Sequence, residues 1–409
     1  MSRAARPAAA CRAVARRAAA PGVACRTARP VAIRRVRAAR RVAALATLAA
    51  AVATAPPAPA QETTGPNMLR PSGMLRTGFE IEPADADRAD GFLVYDARLA
   101  LTGIVGHVFD FRLGVEYDRD DAGIDLLDAS ISFPLGGDAV HVDLGGFQSP
   151  VGREGTADKA LLPFVERSQS TLALVPGRQL GLQVRGTTSD TRLRLAGGLF
   201  NGNGLRLEND DKAFLVAGRA SYNTVGELEF PEEFVVEVGL SAALSDDSAL
   251  AVLPVVEQTV PGPEARRLVS LTEFQGDRFI WGADARLAYE GWTLAAEYLR
   301  TEYEPEAGGD LHAHGLTVDV RHALWGLFDV GGRYDTFTPA VGLGDAPPEA
   351  SRFLVLSLGV TPGLFARAGL QYALGLDGTT RGVGEALDGT NTAPPLTDDQ
   401  FLLFLQLAF

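Results

Sequence analysis

Charged side chains recur at every second position through much of this sequence, and that spacing is where its chemistry lies. Tyr95–Thr102 sets Asp96 and Arg98 against Leu99 and Leu101, and Phe109–Tyr117 sets Asp110, Arg112 and Glu116 against Phe111, Leu113 and Val115. A period of two sends alternate side chains to opposite faces of a strand. By parity the charged face holds Arg98, Arg112, Arg185, Arg192, Arg194, Arg219, Arg286, Arg321, Arg333 and Arg367. It also holds Asp96, Asp110, Glu116, Asp128, Asp143, Glu237, Asp284, Glu297, Asp319, Asp329 and Asp335. Lining a water-filled passage, such charges set ion preference, and an arginine fork suits the oxygens of phosphate. Paired across strands, they merely solvate a wall. Arg192 and Arg194 share a strand face beside Arg185, and this local excess of positive charge is the best candidate for an anion track.

Other chemistry is poorly represented. No Gly-x-Ser-x-Gly elbow is present. His312 and His314 share a strand face but lack an evident third ligand for a metal. Asp118–Gly123 faintly resembles a calcium loop, yet the following glutamate is missing, and a tight acidic hairpin is the better reading. Gly202-Asn203-Gly204 reads as a turn. The residues point to neither an enzyme nor a cofactor.

The elements that must position the charges begin after a leader. Residues 1–60 contain twelve arginines and no Asp, Glu or Lys. An uncharged stretch, Val42–Ala55, is too short to span a bilayer as a helix, which needs about 20 residues. Ala58-Pro59-Ala60 then fits small-x-small cleavage, with Gln61 as the new N-terminus. The expected organisation is a signal peptide over 1–60, a short segment over 61–72 and one domain over 73–409. Both cysteines, Cys11 and Cys25, fall in the leader, so the mature domain has no disulfide. It carries 26 basic against 51 acidic residues, which excludes a nucleic-acid binder. Only two residues, Lys159 and Lys212, are lysines.

No run of about 20 apolar residues follows Gln61. A membrane setting therefore requires a closed barrel, because hydrocarbon offers no partner to an unpaired backbone group. A soluble β-sandwich also alternates, but three features favour the barrel. The strands run about 10 to 13 residues, as tilted membrane strands do. Charge recurs on nearly every strand. Aromatics such as Tyr117, Phe133, Trp292, Tyr334 and Phe365 sit near strand ends, suiting an interfacial girdle.

About sixteen strands are expected, near 73–82, 91–102, 106–118, 123–133, 138–148, 178–187, 190–200, 212–223, 233–245, 278–289, 292–303, 312–323, 326–337, 351–361, 364–375 and 400–409. Short links (Gly103-Ile104-Val105, Thr188-Ser189, Glu290-Gly291, Leu324-Trp325, Pro362-Gly363) alternate with long ones (149–177, 246–277, 338–350, 376–399). Link 224–232 is longer than its phase suggests, and 119–122 shorter. Bacterial barrels have an even strand number, short periplasmic turns and long outer loops. A periplasmic N-terminus puts every long link outside and Phe409 inside. That terminal Phe, on an amphipathic strand, resembles the signal read by barrel-assembly machinery.

Four motifs carry a resemblance over about residues 91–202. They are Gly145–Pro150, Pro163–Ser168, Pro176–Gln183 and Gly197–Gly202, in order and at similar spacing to the phosphate-selective porin O/P family, which the chain resembles. The resemblance implies an all-β, sixteen-stranded transmembrane antiparallel barrel in the bacterial outer membrane. It also implies a homotrimer embedded in lipid, with the third outer loop folded into the lumen. Link 149–177 is third among the outer links, in agreement. Phosphate-specific members use lysine clusters, and two lysines are a departure from that pattern.

On this loop Arg153, Glu154, Asp158, Lys159, Glu166, Arg167 and Arg178 are available. Glu166-Arg167 is the expected anchor to the wall, and Arg153 and Lys159 are the expected constriction residues. Inward small residues (Gly114, Gly181, Ala196, Gly359) point to an open lumen rather than a plugged adhesive barrel, and no Ser/His/acid cluster supports an outer-membrane hydrolase. The function expected is passive diffusion of small hydrophilic solutes or ions, with a dedicated phosphate or oxyanion channel as the alternative. Parity leaves the sign of the field open. Acidic outer links pull one way and arginine strands the other. Neutralising Arg153 and Lys159 together should lower anion preference; equal reversal potentials for variant and parent in a salt gradient would refute this.

Overall fold

The computed structural model describes residues 68–409, apart from 82–90, 107, 118–122, 136–138, 206–208, 210–212, 225–233, 251–256, 259–273, 307, 341–347, 349, 363–364, 377–379 and 382–399. The leader, its cleavage site and cysteines, His107, Lys212 and the acidic hairpin at 118–122 lie outside the described residues.

Sixteen antiparallel strands close into a barrel. They are β1 (Met68–Ile81), β2 (Gly91–Val105), β3 (Phe109–Tyr117), β4 (Ile124–Pro134), β5 (Val140–Gln148), β6 (Arg178–Thr187), β7 (Leu193–Phe200) and β8 (Leu215–Asn223). Then follow β9 (Val235–Leu250), β10 (Phe274–Tyr289), β11 (Trp292–Pro305), β12 (Leu311–Leu324), β13 (Phe328–Thr338), β14 (Ser351–Val360), β15 (Ala366–Gly375) and β16 (Gln400–Ala408). Every strand pairs with its neighbours in sequence, and β1 pairs with β16 from Met74↔Ala408 to Ile81↔Phe401. Just before the first of these rungs, Gly73 N donates to Phe409 O at 2.9 Å and Phe409 N to Gly73 O at 3.0 Å. A further two-residue ladder joins Glu257–Gln258 to Thr380–Arg381 in two of the long links.

Several expected boundaries move: β9 runs on to Leu250, β10 begins at Phe274 rather than 278, and β3, β7 and β8 each begin three residues late. Gly103-Ile104-Val105 is not a link but the end of β2, paired with Phe111, Asp110 and Phe109; the turn falls at Gly106–Val108. Val105 continues the outward pattern opposite Phe109 while apolar Ile104 faces inward opposite Asp110, and Gly106, with φ 55°, supplies the reversal. β1 starts at Met68 rather than 73. Pro71 lies in this extension, where β1 pairs with β2 alone because β16 has ended. Its missing N–H therefore deprives no second neighbour. Turn chemistry explains two other reversals. Glu290 and Gly291 (φ 44° and 82°), and Trp325 and Gly326 (φ 53° and 69°), put successive left-handed residues where a tight hairpin demands them.

The outer surface is the apolar one. Leu99, Leu144, Leu182, Leu240, Leu294, Leu356, Leu358 and Leu405 are all exposed. Aromatics border this band. Near the short turns stand Phe133, Tyr289, Trp292, Trp325, Phe328 and Phe365. Tyr334 lies well inside β13 and belongs instead to the opposite border, level with Trp281 and Tyr298, whose rings are 5.3 Å apart.

A second apolar region joins the 149–177 link to the wall. Val151, Ala173, Leu174 and Val175 of the 149–177 link pack with Phe200, Leu215, Ala243, Ile280, Leu299 and Phe337 of the wall. The inward glycines do not mark empty space. A Cβ on Gly359 would stand 2.6 Å from Asp329 Oδ2, one on Gly181 would meet Phe200, and one on Gly114 would touch Asp128. Neighbouring side chains already lie over these positions.

Face assignment gives a direct test. Leu356 points out between the two aromatic borders, whereas Ser130 points in. Leu356→Arg should cost about 2–4 kcal/mol in unfolding from lipid vesicles, and Ser130→Arg should change stability little.

Candidate functional site: the 149–177 link and the lumen wall

The link contains a short helix α1 (Arg153–Thr156), a 3₁₀ turn (Lys159–Leu161) and a second short helix α2 (Gln169–Leu174). Asp158 caps the 3₁₀ turn by accepting from Ala160 N, and Ser168 caps α2 by accepting from Thr171 N. The stretch between these turns has no ladder to satisfy its backbone. Side chains of the wall supply the partners instead. Carbonyls of Lys159 and Val165 accept from Arg76 at 3.1 and 2.7 Å, and Ala160 O accepts from Gln406 at 2.9 Å. Leu162 O and Pro163 O accept from Arg367 at 3.1 and 2.8 Å, and Glu166 O accepts from Arg333 at 3.0 Å. Val165 N donates to Gln371.

Three strands hold the other end. Both oxygens of Glu297 accept backbone N–H groups, from Arg153 at 2.6 Å and Glu154 at 3.0 Å. Gly152 N donates to Ser241 Oγ, and Gln169 N donates to Asp335. Gly152 has φ 74°, and a Cβ there would stand 2.8 Å from Glu297 Oε1, so two constraints require glycine. Gly315 makes room for α2, since its Cβ would come 2.5 Å from Ser170 Cβ.

Two buried ionic centres join link to wall. Glu154 accepts from Arg333 at 2.6 Å, from Ser168 N at 2.9 Å and from Thr171 Oγ1 at 3.2 Å. Arg333 also pairs with Asp319 and lies over the Phe164 ring at 4.4 Å. Burial alone would raise the Glu154 carboxyl; Arg333 and the Ser168 contacts win and hold it down at about 2. At the second centre Lys159 Nζ meets Asp96 at 2.6 Å. Arg76, only 1% exposed, donates to the same Asp96 and twice to Gln406.

Most remaining wall arginines are paired. Arg98 meets Glu116 at 2.6 Å, Arg321 meets Asp329 at 3.3 Å, and Arg178 meets Asp128 at 3.2 Å. Arg219–Asp284 spans β9 directly over Gly239, where a Cβ would stand 2.5 Å from Arg219. Arg153 approaches Asp319 at 3.8 Å. Beside Gly155–Leu161, a cavity of about 740 Å³ is bounded by β1–β6. Arg112 and Arg185 project into it with side chains 45% and 47% exposed. Each binds a carboxylate through Nε: Arg112 to Asp128, Arg185 to Asp143. Both terminal nitrogens of Arg112 and one of Arg185 make no hydrogen bond among the described residues; the other of Arg185 reaches Ser132.

The fold is shared with solved outer-membrane proteins. An anion-selective porin from Comamonas acidovorans aligns at 14% identity and TM-score 0.57, covering 84% of this chain and all of its own. OmpT of Vibrio cholerae in its trimer form gives 12%, 0.58, 84% and 100%, and the outer-membrane channel DcaP of Acinetobacter baumannii 9%, 0.52, 86% and 100%. No curated protein matches in sequence. The family model for phosphate-selective porin O and P matches residues 77–339. The chain belongs to that family. It is an outer-membrane porin, a channel for passive diffusion of small hydrophilic solutes.

Within this porin the expected site residues separate into groups. Arg112 and Arg185 share the cavity, whereas Arg192 does not join them. It lies in the turn before β7, beside Asp190, and its strand face with Arg194 does not exist. Asp190, bonded to Thr188 and Arg192 N, is held below the usual carboxylate range by those hydrogen bonds, Thr188 first. Arg194 is exposed, opposite Thr187. The Glu166-Arg167 pair takes another form: Glu166 lends its carbonyl, and Arg167 braces the link itself through Ala157 O. The carboxylate anchors are Glu154 and Glu297. Parity flags Arg76 equally well, within Leu75-Arg76-Thr77, but Gln371, Gln406 and Ser241 carry no charge to mark them.

Glu154 carries a signed prediction. Its folded pKa is depressed, so the stabilisation is complete above its unfolded value near 4.3 and fades as pH falls towards 2. Conductance should therefore show no loosening from this contact between pH 7 and pH 5. Glu154→Gln leaves Arg333 short of a charge and should cost about 3–5 kcal/mol locally, seen as noisy, larger single-channel currents at every pH.

Proposed function

We propose that the 149–177 link lies across the lumen as the constriction, and that the passage runs beside its Gly155–Leu161 segment along the β1–β6 wall. Its contacts with β1, β9, β11, β13, β15 and β16, strands distributed around a closed barrel, support an internal position. On this reading Arg112 and Arg185 are the residues that meet a passing solute, and small anions are the preferred class. The observation that carries the proposal is the unspent donors of these two half-exposed guanidiniums in the cavity. An arginine bound through Nε keeps its fork available for a second partner, such as an oxyanion.

Arg98, Arg178 and Arg219 then act through the wall, as buried members of ion pairs. Arg153 and Lys159 shape the constriction by seating it more than by touching solute. The porin is proposed to reach the membrane after cleavage at Ala60, to be recognised by barrel-assembly machinery through Phe409 and to assemble as a homotrimer. A dedicated phosphate channel is the narrower version of the same reading.

Single channels in a salt gradient test it. Arg112→Gln with Arg185→Gln should move the reversal potential towards cation preference while leaving conductance within about a factor of two, since the field from charges in a pore sets selectivity. An unchanged reversal potential would exclude the anion reading. Block of current by millimolar phosphate in the parent, lost in the variant, would select the phosphate channel.

A further inference from the structure

The outward face of β10–β12 changes character just beyond its outer aromatic border. Two residues past Tyr298 stands Arg300, paired in register with His314; Glu302 faces His312. Their inward neighbours Leu299, Thr301, Ala313 and Thr317 are all buried, which fixes this polar row on the outside of the barrel. The rings are close: Tyr298 to His314 6.2 Å, and His314 to His312 6.1 Å in a stacked pair.

Two nitrogens in this row, Arg300 Nε and His314 Nδ1, are buried without a hydrogen-bond partner. Glu302 pairs with Arg300 as an ion pair at 3.5 Å from Nε, longer than a hydrogen bond, which holds the guanidinium in the row. On the outside of a porin at this height, the neighbour is the headgroup layer of the outer leaflet, directly above the apolar band. An unsatisfied guanidinium N–H or ring nitrogen there is unfavourable unless a hydrogen-bonding partner arrives. Arg and His together supply a planar fork and two ring donors, a set suited to phosphate oxygens.

We propose that Arg300, His312 and His314 form an external binding site for the phosphorylated headgroup of an outer-leaflet lipid. The site is separate from the lumen and from the selectivity reading. It rests on the outer-membrane setting that the family establishes. The mature chain is strongly acidic, with 26 basic against 51 acidic residues, so overall charge gives an anionic lipid no reason to gather on it. Local donors must do so.

Purified full-length porin equilibrated in nanodiscs with equal phosphatidic acid and phosphatidylcholine, then extracted in mild detergent, provides the readout. Retained lipid is counted by native mass spectrometry. Phosphatidic acid should be enriched about fivefold, as one basic group near a charged headgroup contributes about a factor of five. Arg300→Gln/His312→Gln/His314→Gln should abolish that enrichment while single-channel conductance stays at the parent value, which certifies the fold and keeps the channel reading apart from the lipid reading. If the triple variant does not fold, Arg300→Gln alone should lower enrichment at least twofold. Equal enrichment in parent and variant would overturn the site. So would loss of the lipid on adding inorganic phosphate, which would mark a free-anion site, or an altered subunit count with lipid retention unchanged, which would mark a protein contact.

Discussion

Hydrocarbon leaves no backbone polar group a partner outside the protein, and every larger feature of this porin follows from that constraint. The chain meets it by joining its two ends. β1 and β16 share eight rungs, and Gly73 and Phe409 exchange a further pair of hydrogen bonds beyond them. Once the sheet closes, alternate side chains are committed: one set to lipid, the other to an enclosed interior. The enclosed set is densely charged, which is tolerable only if charges are paired or wet. Ion pairs such as Arg219–Asp284 and Arg333–Asp319 are thus a consequence of closure.

The same rule governs the 149–177 link. Residues 159–166 form no regular structure apart from one 3₁₀ turn, yet six of their carbonyls accept hydrogen bonds from Arg76, Gln406, Arg367 and Arg333. The wall acts as the missing strand. Apolar packing of Val151, Leu174 and Val175 against Leu215, Ile280 and Phe337 adds a dry contact that a water-filled tube would not be expected to contain. Two kinds of interaction, each common in soluble domains, thus hold the link to the wall.

Fold and site were legible to different degrees, and for physical reasons. Period-two alternation located all sixteen strands because one face of each must satisfy lipid. Boundaries slipped where that pressure weakens, at Met68–Ser72, where β1 has only one partner, and at Gly103–Val105, where apolar residues continue into the turn. Parity identified Arg112 and Arg185 as inward but could not distinguish them from Arg333 and Arg367, whose forks are consumed by the link. Only the fold reveals which donors are spent. Arg192 was misplaced because alternation was carried past the start of β7 into its turn. Inward glycines were read as open space, although neighbouring carboxylates lie across Gly359 and Gly114.

Arg76 joins strands from both ends of the chain and also grips the link through Val165 and Lys159. Its partners lie 330 residues further along the chain in one case and 83 to 89 in the others. Gln406 arrives only with the final strand, and it holds Ala160 as well as Arg76. Seating of the link thereby draws on the strand that closes the barrel. One glutamine of the final strand therefore serves two joints at once, the seam that closes the sheet and the seat of the link.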